Sequence, residues 1–410
     1  MPSSIGLYVH IPFCRVKCPY CSFVVYVRRD HLRDAYVSAL VDEIRMRADA
    51  LEETSVAVTR DSTGRFPVST LYFGGGTPSL LRPDQLGALI EAVRSAFSVE
   101  KDAEVTVETE PGTTSAASFT TLRGLGVNRV TIGVQSFHQQ HLSELGRAHS
   151  PEDARSAVRA ARSAGIRSLD LDLMFGLPHQ TLAQWQTDLD EALALKPDHL
   201  SLYNLTVEPG TPYGQREKRG ELPLPEEELQ AEMMRTAMRR CYAAGLPQYE
   251  ISNFARPGHE SRHNSGYWNG APYLGIGVGA HGFLPTGGTN GWGFRSWNVR
   301  TPERLIEHLA AGRLPVESGE DLDSASAALE ALYLGLRQRR GLDRVAFAVR
   351  FGNDRFDTDP RVTRLVQGGW LDLNSRWARL TEAGVIIADY IISELGASLD
   401  TPGRSDTVGP

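Results

Sequence analysis

Three of the four cysteines of the chain lie within eight residues, in the stretch HIPFCRVKCPYCSF. Cys14, Cys18 and Cys21 have the spacing C-x3-C-x2-C, which presents three thiolates from one tight loop. Three thiolates match three corners of an iron–sulfur cubane and leave the fourth iron without a protein ligand. A structural zinc site closes with four ligands, and the nearby fourth candidate is His10 in the preceding strand pattern. The spacing and its strand-to-loop context favour a [4Fe-4S] cluster over zinc.

The composition is that of an ordinary globular protein, with 41% hydrophobic and 23% charged residues. A formal net charge of −7 argues against a general nucleic-acid-binding protein, which needs surplus Lys and Arg. The sequence has no long apolar run and no basic-then-apolar leader, so we expect a cytoplasmic protein without an integral membrane segment. Thiols stay reduced in that compartment, which favours metal chemistry over disulfides. Cys241 lies in a helical pattern and is expected to be a small buried hydrophobe.

Short strand patterns alternate with longer helical patterns over the first half of the chain. This alternation predicts about six βα units and a parallel sheet, arranged as a barrel or as a doubly wound sheet. Changes in composition then predict four segments. They are a βα region at 1–245, a connecting segment rich in Gly, Asn and aromatic residues at 246–300, a small helix-rich domain at 301–395, and a flexible tail at 396–410.

Polar residues follow the ends of successive predicted strands. Glycines at 74–76 allow close backbone approach after the second strand, and Glu108, Gln135 and Asp172 end the next three, with Arg147 in an adjacent loop. Active sites of β/α barrels are built at the carboxyl ends of the strands. The pattern therefore predicts a ligand pocket beside the cysteine loop.

The cysteine motif, with Tyr20 before the last cysteine, resembles the cluster motif of the radical S-adenosylmethionine (SAM) superfamily. The resemblance implies a partial (β/α)6 TIM-like barrel, a [4Fe-4S] cluster on the three cysteines, and SAM on its unique iron. It also implies reductive cleavage of SAM to a 5′-deoxyadenosyl radical. By this resemblance we expect SAM contacts from Tyr8, Tyr20, Gly75, Gly76, Thr77, Glu108, Gln135, Arg147, Asp172 and Thr206.

Within that superfamily, YVHIPFC, FGGGTPS, GVQSF, DLDLMFGLP and GIGVGAH resemble a group with two kinds of member. One is the oxygen-independent coproporphyrinogen III dehydrogenase, in which a further cysteine gives C-x3-C-x2-C-x-C, and the other is the HemW-like heme chaperone. Here Phe23 stands at the position of the further cysteine. The resemblance thus favours a chaperone that binds heme and transfers it to an acceptor protein. Oxidative decarboxylation of coproporphyrinogen III is the alternative, so enzymatic activity stays open.

His263, Asn264, Tyr267 and Trp268 resemble the H-N-x-x-Y-W signature associated with heme binding in HemW-like proteins. The resemblance implies that the imidazole ligates heme iron while the aromatic residues contact the macrocycle. From the residues alone, a histidine among aromatic side chains is more often a hydrogen-bonded structural residue. The interpretation of this motif as a heme site therefore rests on the resemblance.

The C-terminal region resembles the small winged-helix-like domain appended to this group. Winged helices often bind DNA, but residues 301–395 hold 12 arginines, no lysine and 15 acidic residues. This acidic balance argues against nucleic acid and favours a protein or porphyrin contact. The expected partners are heme and an acceptor of unknown identity, and the sequence leaves a homodimer open.

Overall fold

The structure is a computed structural model that describes residues 4–51, 58–285, 291–352 and 355–397. The strands are β1 (Ile5–Ile11), β2 (Phe13–Cys14), β3 (Tyr26–Val27), β4 (Pro67–Gly75), β5 (Ser98–Thr109), β6 (Arg129–Gln135), β7 (Ser168–Phe175), β8 (His199–Asn204), β9 (Asn253–Ala255), β10 (Tyr273–Ile276), β11 (His281–Leu284), β12 (Phe294–Asn298), β13 (Val316–Asp321), β14 (Leu342–Asp343), β15 (Leu371–Leu373) and β16 (Trp377–Leu380). The helices are α1 (Arg33–Ala50), α2 (Pro83–Ala96), α3 (Ala116–Gly124), α4 (Gln139–Glu144), α5 (Pro151–Ser163), α6 (Leu182–Ala194), α7 (Pro212–Lys218), α8 (Glu227–Ala243), α9 (Arg262–Trp268), α10 (Pro302–Ala310), α11 (Ser324–Leu336), α12 (Arg344–Phe351), α13 (Pro360–Gln367), α14 (Glu382–Ile386) and α15 (Ala388–Gly396).

Six parallel strands form a partial barrel in the order β1-β4-β5-β6-β7-β8. Each strand is followed by at least one helix, as the alternation of patterns predicts, and β1 and β8 do not pair with each other. Apolar residues at alternate positions of β6, Val130, Ile132 and Val134, are fully buried in the hydrophobic core. The intervening side chains therefore face the barrel interior. The (β/α)6 prediction is confirmed, and the doubly wound alternative is wrong because the strand order never reverses about a central strand.

The segment predicted to connect the domains adds strands to both free edges of the barrel. β9 pairs antiparallel with β8, and β10 pairs parallel with β1. α9 lies between them along the chain, and its first residues contact β4 and β5 inside the barrel. β11, β12 and β13 continue the sheet beyond β10 as antiparallel strands. The gap between β1 and β8 is thus bridged by one stretch of chain.

The small C-terminal domain contains a three-stranded antiparallel sheet in the order β14-β16-β15, surrounded by α11 to α15. This arrangement agrees with the winged-helix-like expectation. β13 belongs to the large sheet and α10 packs against α1, so residues 302–321 pack with the barrel. The domain boundary at 301 stays a prediction. Most of the predicted tail, residues 398–410, lies outside the described residues.

No helix in the described part of the chain is long and apolar enough to cross a bilayer.

A buried ionic cluster ties α9 to the amino-terminal half of the barrel. Arg129 is 2% exposed and donates to Ser168 Oγ and to the His259 carbonyl at 3.1 and 2.8 Å. The carboxylates of Glu104 and Asp170 each lie 3.8 Å from its guanidinium. Glu104 also accepts the backbone N–H groups of the first two residues of α9 at 3.1 and 3.0 Å. Arg129 thus lies between two buried carboxylates, and Asp170 also lies 2.6 Å from His199 Nδ1.

Replacing Arg129 with Ala is expected to lower the free energy of unfolding by about 3–5 kcal/mol, because two buried carboxylates lose their counter-charge. Urea denaturation followed by circular dichroism measures the change. Arg159→Ala is the matched control, since Arg159 forms an ion pair at the surface with Glu152 and its loss should leave stability nearly unchanged. Equal transitions for the two variants would show that the buried cluster is not needed for stability.

Candidate functional site

Backbone hydrogen bonds attach the base of the cysteine loop to the glycine-rich turn after β4. The Gly76 N–H donates to the Ile11 carbonyl at 2.8 Å, and the Thr77 N–H donates to the Phe13 carbonyl at 2.9 Å. A Cβ at Gly76 would lie 2.8 Å from both of these carbonyl oxygens, closer than any side chain tolerates. Glycine is therefore required where the two segments meet. Cys14 begins the loop directly above this junction.

The far side of the loop is held by helices that follow β6 and β8. The Tyr213 N–H at the start of α7 donates to the Pro19 carbonyl at 3.0 Å. Gly146 has a φ of +66°, and a Cβ there would lie 2.9 Å from the Pro19 ring. Arg147 follows, and its guanidinium lies 3.7 Å from Cys18 Sγ. The loop is thus fixed at both ends by other parts of the barrel.

The three cysteines line a cavity of about 330 Å³ at the carboxyl ends of the barrel strands. All three thiols are free and partly exposed. Eight of the ten residues predicted to contact SAM line the same cavity, namely Tyr20, Gly75, Gly76, Thr77, Glu108, Gln135, Arg147 and Asp172.

The remaining two predicted SAM residues lie elsewhere. Tyr8 points into the barrel below the cavity, where its hydroxyl lies 3.1 Å from His10 Nδ1 and its ring stacks on Tyr72. Thr206 lines a separate cavity of about 720 Å³ between β8, α8 and the small domain. Tyr203 lines both cavities. Thr206 lies two residues beyond the end of β8 at Asn204.

Two buried carboxylates form the inner wall of the cavity. Glu108 accepts the Gly75 N–H at 3.0 Å and the Tyr72 hydroxyl at 2.8 Å. Burial raises the pKa of Glu108 although both bonds act to lower it. Asp172 Oδ1 is buried without a hydrogen-bond partner, and burial together with the charges of Asp170 and Glu108 raises the pKa of Asp172 well above its usual value. An unused buried acceptor beside a cavity fits a ligand hydroxyl or amine.

Arg147 brings positive charge to the cysteine side of the cavity. Its guanidinium forms an ion pair with Glu110 at 3.2 Å and donates to the Gly133 carbonyl at 3.2 Å. Burial acts to lower the pKa of Arg147, but the neighbouring Tyr20, Glu110 and Cys18 raise it overall. Arg147 therefore stays charged beside the thiols and opposes the negative charge that thiolates would bring.

The thiols of Cys14 and Cys21 favour the protonated form in the absence of a cation. Burial raises the pKa of Cys14 to about 11, while the Thr77 hydroxyl, 3.7 Å from Cys14 Sγ, acts to lower it. Burial and the nearby Cys18 also raise the pKa of Cys21. A bound metal reverses this preference by stabilising thiolates. Among the described residues no three His, Cys, Asp or Glu side chains converge in the geometry of a single metal ion.

Gln135 has an unusual backbone conformation in the wall of the cavity. Its φ is +66°, in the left-handed region that non-glycine residues rarely adopt. The register between β6 and β7 shifts at this point, between Gly133 and Gln135. Thr131, Gly133 and Gln135 all line the cavity.

Sequence reasoning missed several residues that line the cavity. Glu110, Thr131 and Gly133 share the strand parity of the predicted Glu108 and Gln135, so alternation along β5 and β6 could have found them. Tyr203 gave no comparable signal, because its place between two cavities depends on how the small domain docks.

The four residues predicted to bind heme lie on α9 in two different surroundings. His263 is 3% exposed, with Nδ1 2.8 Å from Thr70 Oγ1, Nε2 2.7 Å from the Tyr267 hydroxyl, and its ring stacked on Tyr72. Burial lowers the pKa of His263 to about 3. Both ring nitrogens are engaged, so ligation of heme iron requires α9 to rearrange, and it stays a prediction.

The other two motif residues, Asn264 and Trp268, are partly exposed on α9. The Asn264 N–H donates to Ser261 Oγ, which caps the helix. Trp268, at the end of α9, lines a cavity shared with the small domain. The motif therefore links the barrel interior with the domain interface.

Comparison with known proteins agrees with this architecture. Residues 8–192 match the radical SAM superfamily, and residues 322–387 match the HemN C-terminal domain. The structure of coproporphyrinogen III oxidase (HemN) from Escherichia coli superposes with a TM-score of 0.80 over 97% of this chain and 90% of that one. At 23% identity, this likeness shows a shared fold.

Curated relatives cover nearly the whole chain. The heme chaperone HemW of Bacillus subtilis (strain 168) is 34% identical over 94% of this chain and 97% of its own length. That of Escherichia coli (strain K12) is 35% identical over 95% and 97%, and the mitochondrial radical S-adenosyl methionine domain-containing protein 1 of Danio rerio is 34% identical over 96% and 87%. Identity at this level over whole chains shows common family membership, and the chain belongs to the HemW family of radical SAM proteins.

Proposed function

We propose that this chain is a heme chaperone, which binds heme and transfers it to an acceptor protein, on a scaffold that also binds a [4Fe-4S] cluster and SAM. The observation that carries the proposal is the 34–36% identity to heme chaperones named HemW, which in several cases extends over more than nine-tenths of this chain. Phe23, which stands where a further cysteine is expected in the dehydrogenase, supports the same choice. Its side chain is 64% exposed and lines the cavity beside the cysteines.

The residues of the cavity fit the cofactors that the superfamily implies. Cys14, Cys18 and Cys21 would hold the cluster, which when bound supplies an open iron site and an electron for SAM. Cys14 can accept a hydrogen bond from the Thr77 hydroxyl, and Arg147 offsets negative charge at Cys18. These contacts stabilise thiolates without adding ligands.

The opposite wall of the cavity supplies acceptors for the amine and hydroxyl groups of SAM. Asp172 presents a buried oxygen without a partner, and Glu108 is held by Gly75 and Tyr72 in a fixed orientation. A carboxylate pre-positioned in this way loses little conformational entropy when a ligand binds. The positive sulfonium of SAM would favour the ionised forms of Glu108 and Asp172, whose pKa values burial raises.

Replacing any one of Cys14, Cys18 and Cys21 with Ala should abolish stable cluster assembly, because a site with two thiolates cannot hold a cubane. Iron and sulfide content after anaerobic reconstitution, together with visible absorbance, measures the effect. Cys241→Ala is the matched control, since Cys241 is fully buried in α8, far from the loop in sequence, and should leave iron content unchanged. Undiminished iron and sulfide in the loop variants would overturn the cluster assignment.

Replacing Asp172 with Asn should raise the Kd for SAM at least about tenfold, because one of the two carboxyl oxygens that can accept from the ligand becomes an amide nitrogen that only donates. Equilibrium dialysis with reconstituted protein measures it. Thr206→Val should leave the Kd unchanged, since Thr206 lines a different cavity. A larger increase in Kd for Thr206→Val than for Asp172→Asn would show that SAM binds in the cavity lined by Thr206 and not in the cavity lined by Asp172.

Anaerobic assay with coproporphyrinogen III, SAM and a reductant should yield no protoporphyrinogen, while heme titration of the same sample should give a saturable change in the heme absorbance. We expect no turnover because the motif lacks the further cysteine of the dehydrogenase and has Phe23 at that position. Release of heme to an added heme-free acceptor completes the assay. Sustained decarboxylation would instead establish the dehydrogenase alternative.

A further inference from the structure

A cavity of about 390 Å³ separates the end of α9 and the β11–β12 hairpin from the small domain. Its volume lies in the range of small-molecule sites. Six aromatic side chains line it, drawn from both sides of the domain interface. They are Trp268, Phe283, Trp292, Phe347, Phe351 and Trp377.

Arginine side chains complete the lining of this interdomain cavity. The two acidic groups there are already paired, Glu330 with Arg295 and Asp343 with Arg376. Arg340 donates to the Asn269 side chain, and Arg350 donates to the Trp292 carbonyl at 3.4 Å. Neither Arg340 nor Arg350 has a carboxylate partner in the described part of the chain. Two guanidinium groups are therefore available to an anionic ligand.

Trp268 connects the interdomain cavity with α9. Its carbonyl accepts the Gln338 side-chain amide at 2.8 Å, which fastens the helix to the small domain. Its indole N–H is buried without a hydrogen-bond partner. A buried indole donor beside an aromatic cavity is a recognition feature that a bound molecule can satisfy.

The lining offers no group that commonly ligates heme iron. Among the described residues around the interdomain cavity there is no His, Cys, Met, Tyr or Lys. A flat ligand held here would be bound through its faces and its acidic groups. Any central metal would keep its axial positions free of protein ligands.

We propose that the interdomain cavity binds a planar tetrapyrrole dicarboxylate, stacked on its aromatic rings and paired through its propionates with Arg340 and Arg350, without an axial protein ligand. The inference rests on the proposed function and names the site that serves it. Aromatic stacking and charge complementarity select a large flat dianion over a nucleotide or a peptide. A carrier that leaves the iron unligated lets the ligands of an acceptor bind the iron while the macrocycle is still held.

The test compares heme with iron-free protoporphyrin IX in titrations of the full chain. Three of the six tryptophans line the interdomain cavity, so quenching of tryptophan fluorescence reports its occupation by either porphyrin. Because no axial bond contributes, the two Kd values should agree within about threefold. The double substitution Arg340→Gln and Arg350→Gln should weaken both at least about tenfold. The Kd of the porphyrin dimethyl ester, which lacks free propionates, should not change with the double substitution.

Arg235→Gln with Arg239→Gln is the matched control, because these arginines lie on α8 outside the lining and should not alter binding. Binding that needs iron, is lost in His263→Ala and ignores the Arg340 and Arg350 substitutions would overturn this inference and leave the proposed function standing. Failure of the unaltered chain to bind any porphyrin would overturn both.

Discussion

The site depends on two backbone hydrogen bonds that join the cysteine loop to the turn after β4. They place the thiols over the carboxyl ends of the strands, where the barrel directs its polar side chains. The junction works because Gly76 lacks a side chain and its amide can reach the carbonyl of Ile11. Without this attachment the thiols and the carboxylates of Glu108 and Asp172 would not share one cavity.

The barrel keeps its charges in two layers. Near the amino-terminal half, Arg129 lies between Glu104 and Asp170 and so contributes to stability. At the carboxyl end, Asp172 has no such partner, and Arg147 is directed toward the thiols. The buried carboxylates near the amino-terminal half thus have a cationic neighbour, whereas Asp172 at the carboxyl end keeps an acceptor oxygen that a ligand can use. His263 and Tyr72 lie between these layers and connect α9 with Glu108.

Local patterns in the sequence predicted most of the barrel strands and helices and the position of the ligand pocket. Strand and helix periods, glycine turns and polar residues at strand ends depend on neighbours in the chain, so they predicted about six βα units and a ligand pocket at the strand ends. The partial barrel and the ten residues expected to contact SAM came from the resemblance, and eight of those ten residues line one cavity. The position of Thr206 depended on where β8 ends, and the hydrogen bonds of His263 depended on Thr70, distant in sequence. The pairing of β13 with the large sheet, and the interdomain cavity, likewise arise from contacts between distant segments that no local period reports.

The left-handed backbone conformation of Gln135 in the cavity wall lowers the stability of the fold. A residue with a Cβ in that conformation carries a penalty on the order of 1–2 kcal/mol, which a glycine would avoid. Holding an amide at this bend trades stability for a polar group in the wall. Substitutions selected for thermal stability would thus replace Gln135 early, because glycine relieves the strain there, and the cavity wall would lose its amide.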